Sequence, residues 1–458
     1  MGKGRAGIHS LQRKHGPDMQ NRKEAVQTSL QGIAKKAAEQ KQYRFRNLAV
    51  MLGEDMLLDS WRLIRKDAAY GVDGVSAREY EQELEENVRR LVERLKRGGY
   101  RAKLVKRWYI PKGDGGKRPL GIPATEDKLL QLSAKRILEA IYEGDFLKCS
   151  YGYRPGISAR DAVHDLTVKL QFGRYRYVVE ADIRGFFDHV DHEWMVRMLQ
   201  ERVDDRVFVR LVKKWLRAGV LEEDGKVVHP ATGTPQGGII SPILANIYLH
   251  YALDLWFEKV VRKQCRGEAF LIRYADDFVA AFEHEEEAER FYRELPERLG
   301  KFGLELTKAK TRVIEMDRER PSGGSRFKFL GFEFYWGKDR QGRPHLKRRT
   351  ARNRLWSSLV RFAQWCRQVR NLDLRDLFRA LNAKLRGYYN YYGVVGNYES
   401  LDTFFRHALR ILFKWLNRRS QLRSYKWQGF VESLAYYQVE KPRIVPSSRP
   451  RVASGLRA

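Results

Sequence analysis

Cysteine is nearly absent. Cys149, Cys265 and Cys366 are each more than a hundred positions apart in a chain of 458 residues. That excludes a disulfide framework and leaves no Cys-x-x-Cys pair for zinc, so free, buried thiols are expected. No run of eighteen apolar residues occurs, and no membrane partner or spanning helix is expected. The polar, basic N-terminus lacks the apolar stretch of a secretory signal, which leaves a cytoplasmic location as the expectation. Internal repeats are missing too. Acidic residues are the remaining scarcity: 57 Asp and Glu face 88 Lys and Arg, a formal charge of +31. A chain so basic is suited to a polyanion.

The excess is uneven. Residues 338–458 hold 27 Lys and Arg against 7 Asp and Glu, and residues 1–50 hold 11 against 3. The middle is close to neutral. Basic ends around a balanced centre suit a catalytic body flanked by segments that grip nucleic acid.

Periodicity divides the chain further. Residues 20–66 and 79–97 read as helical, the second stopped by Gly98-Gly99. Residues 106–110 read as a strand before a Gly-rich turn at 113–116, and 125–142 as a helix capped by Thr125. Residues 177–183 form an apolar strand ending near Asp182. Residues 241–256 read as an apolar helix with Ser241 at its cap and Pro242 in its first turn. Runs at 270–274 and 278–282 predict two strands joined by an Asp276-Asp277 turn, with a charged helix at 285–301 and strands near 311–315 and 327–334. Helices at 352–370, 374–392 and 401–419 complete the pattern. The expectation is an α/β (α+β) body followed by an α-helical, basic domain from 337 and a disordered tail from about 441.

Two adjacent acids between apolar strands repel unless a cation lies between them. Asp182, at the end of another buried strand, gives a third carboxylate. Three converging carboxylates suit a pair of divalent cations serving a primer 3′-hydroxyl and a triphosphate. A solvated hairpin tip is the bland alternative for an isolated Asp-Asp pair.

The pair is not isolated. Tyr274-Ala275-Asp276-Asp277 is preceded by Lys117-Arg118-Pro119-Leu120-Gly121-Ile122-Pro123, Tyr151-Gly152-Tyr153-Arg154-Pro155-Gly156, Asp182-Ile183-Arg184-Gly185-Phe186-Phe187-Asp188 and Gly233-Thr234-Pro235-Gln236-Gly237-Gly238. It is followed by Lys310-Thr311 and Phe329-Leu330-Gly331-Phe332. This ordered series resembles the reverse transcriptases encoded by bacterial group II introns, over about residues 45–430. Leu385-Arg386-Gly387-Tyr388-Tyr389-Asn390-Tyr391-Tyr392-Gly393 and Trp415-Leu416-Asn417-Arg418-Arg419 resemble the thumb, or X, domain of intron maturases.

The resemblance implies a right-hand polymerase with fingers, a ferredoxin-like palm and a helical thumb. Its implied spans are 1–105 for the N-terminal extension and first part of the fingers, and 106–336 for fingers and palm. Residues 337–430 would be the thumb and 431–458 a basic tail, a remnant DNA-binding segment. The implied activity is RNA-directed DNA synthesis coupled to intron RNA binding, splicing and mobility. Two Mg2+ ions, with Mn2+ as substitute, would be held by Asp182, Asp276 and Asp277. Lys112, Arg118, Gln236 and Lys310 would serve the nucleotide, and Phe187 would crowd a 2′-hydroxyl. Only one of Phe186 and Phe187 can share the inward side of a strand with Asp182. Gly237-Gly238 would let the backbone approach a base or sugar.

Phe329, Leu330 and Gly331 resemble a primer grip. Arg386, Tyr388, Tyr389, Arg418 and Arg419 would meet RNA, with two of the four tyrosines at 388–392 exposed and two buried. The implied partners are group II intron RNA, an RNA template with DNA primer, deoxynucleoside triphosphates and a DNA target site. On DNA the chain would be nucleoid-associated. Monomer and dimer stay open. Many relatives end in a DNA-binding segment and a nuclease domain with paired cysteines and histidines, and an endonuclease-lacking form is expected here. Rival readings are a splicing maturase without polymerase activity, a domesticated host or defence enzyme, and an RNA-templated RNA polymerase.

Overall fold

The computed structural model describes residues 17–111, 116–234, 236–319, 325–419 and 425–445. Strands among them are β1 (Val105–Pro111), β2 (Lys117–Ile122), β3 (Tyr177–Asp182), β4 (Val220–Leu221), β5 (Val227–Val228), β6 (Ala269–Tyr274), β7 (Asp277–Phe282), β8 (Arg312–Glu315), β9 (Arg326–Phe329), β10 (Phe332–Lys338) and β11 (Pro344–Thr350). The chain divides into two units. One comprises Met1–Pro111, Lys117–Phe146 and Phe187–Ile247; the other comprises Lys112–Gly116, Leu147–Phe186 and Tyr248–Ala458.

In the first unit the apolar face of helix Thr125–Tyr142 is fully covered, with Leu129, Leu130, Ile137, Leu138 and Ile141 buried. Helices Pro17–Glu39 and Glu54–Trp61 pack on it. Arg136 ties the second of these down through Asp59 at 2.7 Å and Ser60 at 2.8 Å. Thr125 is not a cap: its hydroxyl donates to the Val75 carbonyl, and Ala124 precedes the helix without a side-chain bond. A four-stranded sheet has the order β2-β1-β4-β5.

In the second unit the sheet order is β6-β7-β3-β8, with every neighbouring pair antiparallel. Numbered along the chain these strands stand second, third, first and fourth, which is the ferredoxin-like arrangement. Val178, Val179, Ala181 and all of 278–282 are buried, because both faces are covered. Helix Glu285–Gly300 lies on one face, with Phe291 against Phe282 at 5.4 Å between ring centroids. A second sheet, β11-β10-β9, follows. The segment read as one strand at 327–334 is a hairpin, because Leu330 and Gly331 both take positive φ, 49° and 80°, and reverse the chain.

Helices Arg352–Val369, Leu374–Tyr392, Tyr398–Leu416 and Trp427–Tyr436 share a core of Leu359, Phe362, Leu381, Leu385, Phe404 and Leu412. The helical region therefore begins at Arg352 rather than 337, because β11 intervenes. Residues 437–445 lie against this core, including 441–445, expected to open a disordered tail. Tyr437 stacks on Phe378 at 4.4 Å, and the Val445 amide donates to the Gly393 carbonyl. The rest of the tail lies outside the described residues. No described helix is long and apolar enough to cross a membrane. The cysteines are free, with Cys366 buried and Cys149 and Cys265 half-buried.

Candidate active site

The strand register brings the carboxylates together. Asp182 ends β3 and Asp277 opens β7 directly opposite it. Tyr274 is likewise opposite Asp277 across the β6–β7 hairpin, so the two-residue turn is Ala275-Asp276, not Asp276-Asp277. The shift by one residue has a structural reason. Asp277 must stay in the ladder to face Asp182, and Ala275 supplies the positive φ, 58°, that a tight hairpin requires.

An alanine at positive φ is strained and needs support. Arg273, wholly buried, donates from one guanidinium nitrogen to the Ala275 carbonyl at 3.0 Å. Its other nitrogens hold Asp254 at 2.7 and 2.6 Å and the Ser150 hydroxyl at 2.8 Å. The segment 149–151 runs beside β6 through Arg273 N–H to Cys149 carbonyl and Tyr151 N–H to Arg273 carbonyl bonds. Gly152 then lies against the turn so closely that a Cβ there would be 2.3 Å from the Ala275 nitrogen.

The sequence reading missed Arg273, Asp254 and Gly152 as site residues. A usable signal existed: one cation in the apolar run 270–274 and one acid in the apolar run 241–256 must find each other if both runs are buried. The helix over 241–256 is also less regular than expected. It is α-helical from Ser241 to Leu249 and continues as π-helical turns at His250–Asp254 and Phe257–Val261, the first ending on Asp254.

Electrostatics at the site are unbalanced. Burial, then the negative charges of Asp182, Asp276 and Glu180, push the Asp277 carboxyl up to about 7, against one opposing hydrogen bond from the Leu330 amide. Lys310 reaches Asp182 at 3.0 Å, and Arg312 reaches Glu180 at 3.0 Å. As the side chains stand, no group of three or more His, Cys, Asp or Glu among the described residues encloses a metal position. The donor chemistry nonetheless fits a hard divalent cation. Three carboxylates share one edge, and the perturbed Asp277 records a local shortage of positive charge.

An acid with its folded pKa raised binds its proton more tightly in the folded chain. Stability is therefore lost as pH rises from the unfolded value near ~4 through about 7. Asp127 of the first unit, pushed by burial up to about 6, acts in the same direction. The unfolding midpoint in chelator should fall between pH 5 and 8, and Mg2+ should recover the Asp277 share at pH 8. A midpoint that rises with pH would contradict this.

The remaining predicted residues fall as follows. Lys112 lies outside the described residues. Arg118 is exposed on β2. The Gln236 carbonyl accepts from the Gly121 amide of β2, and Gly237, at φ 102°, would place a Cβ 2.6 Å from the Gly121 oxygen. In this structure the close approach allowed by Gly237 is to β2. Residues 186–189 form a short helix, so strand alternation does not govern the two phenylalanines. Phe186 is buried with its ring 6.2 Å from that of Tyr248, and Phe187 is half-buried.

Phe329 is core, while Leu330 is at the turn that touches Asp277. Tyr391 donates to the Leu330 carbonyl at 3.1 Å, fixing the turn from the helix Leu374–Tyr392. Tyr389 is fully buried and Tyr388 stacks on Phe404 at 3.7 Å. The expected RNA contact by these two rings is corrected: they fill the helical core, and Tyr391 is the exposed ring, at 41 %. Arg386 pairs with Glu440 at 3.1 Å, Arg418 lies over Trp415, and Arg419 donates to the Leu372 carbonyl.

Residues 110–334 match the reverse transcriptase (RNA-dependent DNA polymerase) family, and residues 359–430 match the group II intron, maturase-specific domain. The chain is 44% identical over 167 residues to the group II intron-encoded protein LtrA of Lactococcus lactis subsp. cremoris, covering 36% of this chain and 27% of that protein. It is 36% identical over 239 residues to protein YkfC of Escherichia coli (strain K12), covering 46% of this chain and 62% of that one. With the putative COX1/OXI3 intron 1 protein of Saccharomyces cerevisiae it shares 25% over 381 residues, 73% of this chain and 44% of the yeast protein. Each match thus spans less than two thirds of the relative's length.

Proposed function

We propose a function from one premise: the chain belongs to the group II intron-encoded reverse transcriptase and maturase family. It copies RNA into DNA from a primer, with deoxynucleoside triphosphates as substrates. It also binds a group II intron RNA to assist splicing and insertion at a DNA site. The observation that carries the polymerase reading is the register of Asp182 against Asp277 with Asp276 in the adjoining turn.

Asp182, Asp276 and Asp277 would hold Mg2+, or Mn2+ in its place. When bound, a pair of such ions would acidify the primer hydroxyl and neutralise charge on the transferred and leaving phosphates. The chain's own groups supply the rest. The Leu330 amide orients Asp277, and Arg273 holds the turn that carries Asp276. Lys310, already paired with Asp182, would turn its ammonium to a phosphate once the acids are otherwise compensated. Lys112, Arg118 and Gln236 would bind the incoming nucleotide, and Phe187 would exclude a 2′-hydroxyl. Arg386, Arg418 and Arg419 would contribute to RNA contact.

The test is primer extension on an RNA template with deoxynucleotides and Mg2+, beside a reaction in chelator. Extension that stops in chelator is expected. A folded, RNA-binding chain that never extends would leave splicing as the function. Phe187→Ala should raise ribonucleotide use by about tenfold or more relative to deoxynucleotide use. An unchanged ratio would remove Phe187 from sugar selection.

A further inference from the structure

One side of the first unit carries cations that nothing above uses. Helix Arg206–Leu216 places Arg206, Arg210 and Lys213 on one face, and Arg217 just beyond its end continues the row. The steps of four, three and four residues align them within one helical stripe, each about 5–6 Å from the next. All four are exposed. None is within ion-pair distance of an acid among the described residues, whereas Arg44, Arg46, Arg89 and Arg90 nearby in the same unit are paired.

Opposite this helix runs His192–Gln200. Between the two lies a cavity of about 260 Å3, floored by Val196 and Leu216, with Arg197, Lys213 and Arg217 at its rim. Arg197 is held over the Trp194 ring at 5.1 Å. Glu193 also lines the cavity, so three cations there face one acid.

We propose that this cleft and stripe form a binding site for the phosphodiester backbone of an RNA strand. Arg197, Lys213 and Arg217 would each meet a phosphate of the strand, which would continue along Arg210 and Arg206. Guanidinium groups predominate, as suits bidentate phosphate contact. The row is extended rather than point-like, which fits a polyanion over a small free anion. The choice of RNA as occupant rests on the RNA-binding function proposed above, and the site is tested apart from the polymerase reading because binding is read without nucleotides or Mg2+.

The experiment measures affinity for a labelled single-stranded RNA of about 20 nucleotides across a salt series. Three lost phosphate contacts should flatten the slope of log affinity on log salt by about 2 for Arg197→Gln/Lys213→Gln/Arg217→Gln. The comparison is Arg62→Gln/Arg78→Gln/Arg101→Gln, which removes the same charge from exposed positions of the same unit and should leave the slope nearly unchanged. Equal flattening in both, or none in the first, would overturn the site. As a second readout in the unaltered chain, RNA should protect Lys213 from amine acylation. Equal labelling of Lys213 with and without RNA would also overturn it.

Discussion

Asp277→Asn should abolish primer extension, a fall of at least about a thousandfold, while raising the unfolding midpoint of the metal-free chain by a few degrees at pH 8. The two effects share one cause. Asp277 is half-buried, directly opposite Asp182 and beside Asp276 and Glu180, and its carboxyl is pushed up to about 7. At pH 8 the folded chain must keep it ionised among like charges. Asparagine removes that repulsion and can still accept from the Leu330 amide. It also removes one of the three anionic oxygen donors proposed to hold divalent cations. RNA affinity measured without nucleotide should stay at the parental level. Loss of extension together with a lowered midpoint would instead mean that Asp277 is structural.

The second large effect is at Arg273. Arg273→Met should destabilise the second unit by about 3–5 kcal/mol, because it leaves the Asp254 carboxylate buried and uncompensated. Asp254→Leu/Arg273→Met removes both charges and should recover a large part of that loss. Extension should recover far less. Methionine cannot donate to the Ala275 carbonyl or to Ser150, so the positive-φ turn carrying Asp276 loses its support even where the fold is restored. Urea unfolding and primer extension on the two single variants and the double variant separate these contributions. Equal recovery of stability and extension in the double variant would show that the ion pair serves the core and does not position the turn.

The two variants divide the site between what the sequence discloses and what it conceals. The convergence of Asp182 and Asp277, with Asp276 in the adjoining turn, was legible because paired acids at the ends of apolar strands have no packing reason to be there. Lys310 was named from motif order, and the structure sets it against Asp182. Tyr388 and Tyr389 were misread for an equally physical reason. A Tyr-Tyr-Asn-Tyr-Tyr run between cations looks like a stacking surface, but helical spacing turns Tyr389 fully and Tyr388 largely into the hydrophobic core. The placement of 441–445 was missed because a Pro- and Arg-rich composition gives no sign that the Val445 amide will find the Gly393 carbonyl.

By itself the sequence determined the local elements, the apolar strands and helices, the basic ends and the position of three acids at the ends of apolar strands. These depend on side-chain period and charge over a few neighbouring residues. The tertiary structure decided the register that faces Asp277 with Asp182, the shift of the hairpin turn to Ala275-Asp276, and the burial of Arg273 on Asp254. It also decided the approach of Gly152 to the turn and of Leu330 to Asp277. Each of these depends on contacts between segments far apart in the chain, and no local pattern encodes such a distance.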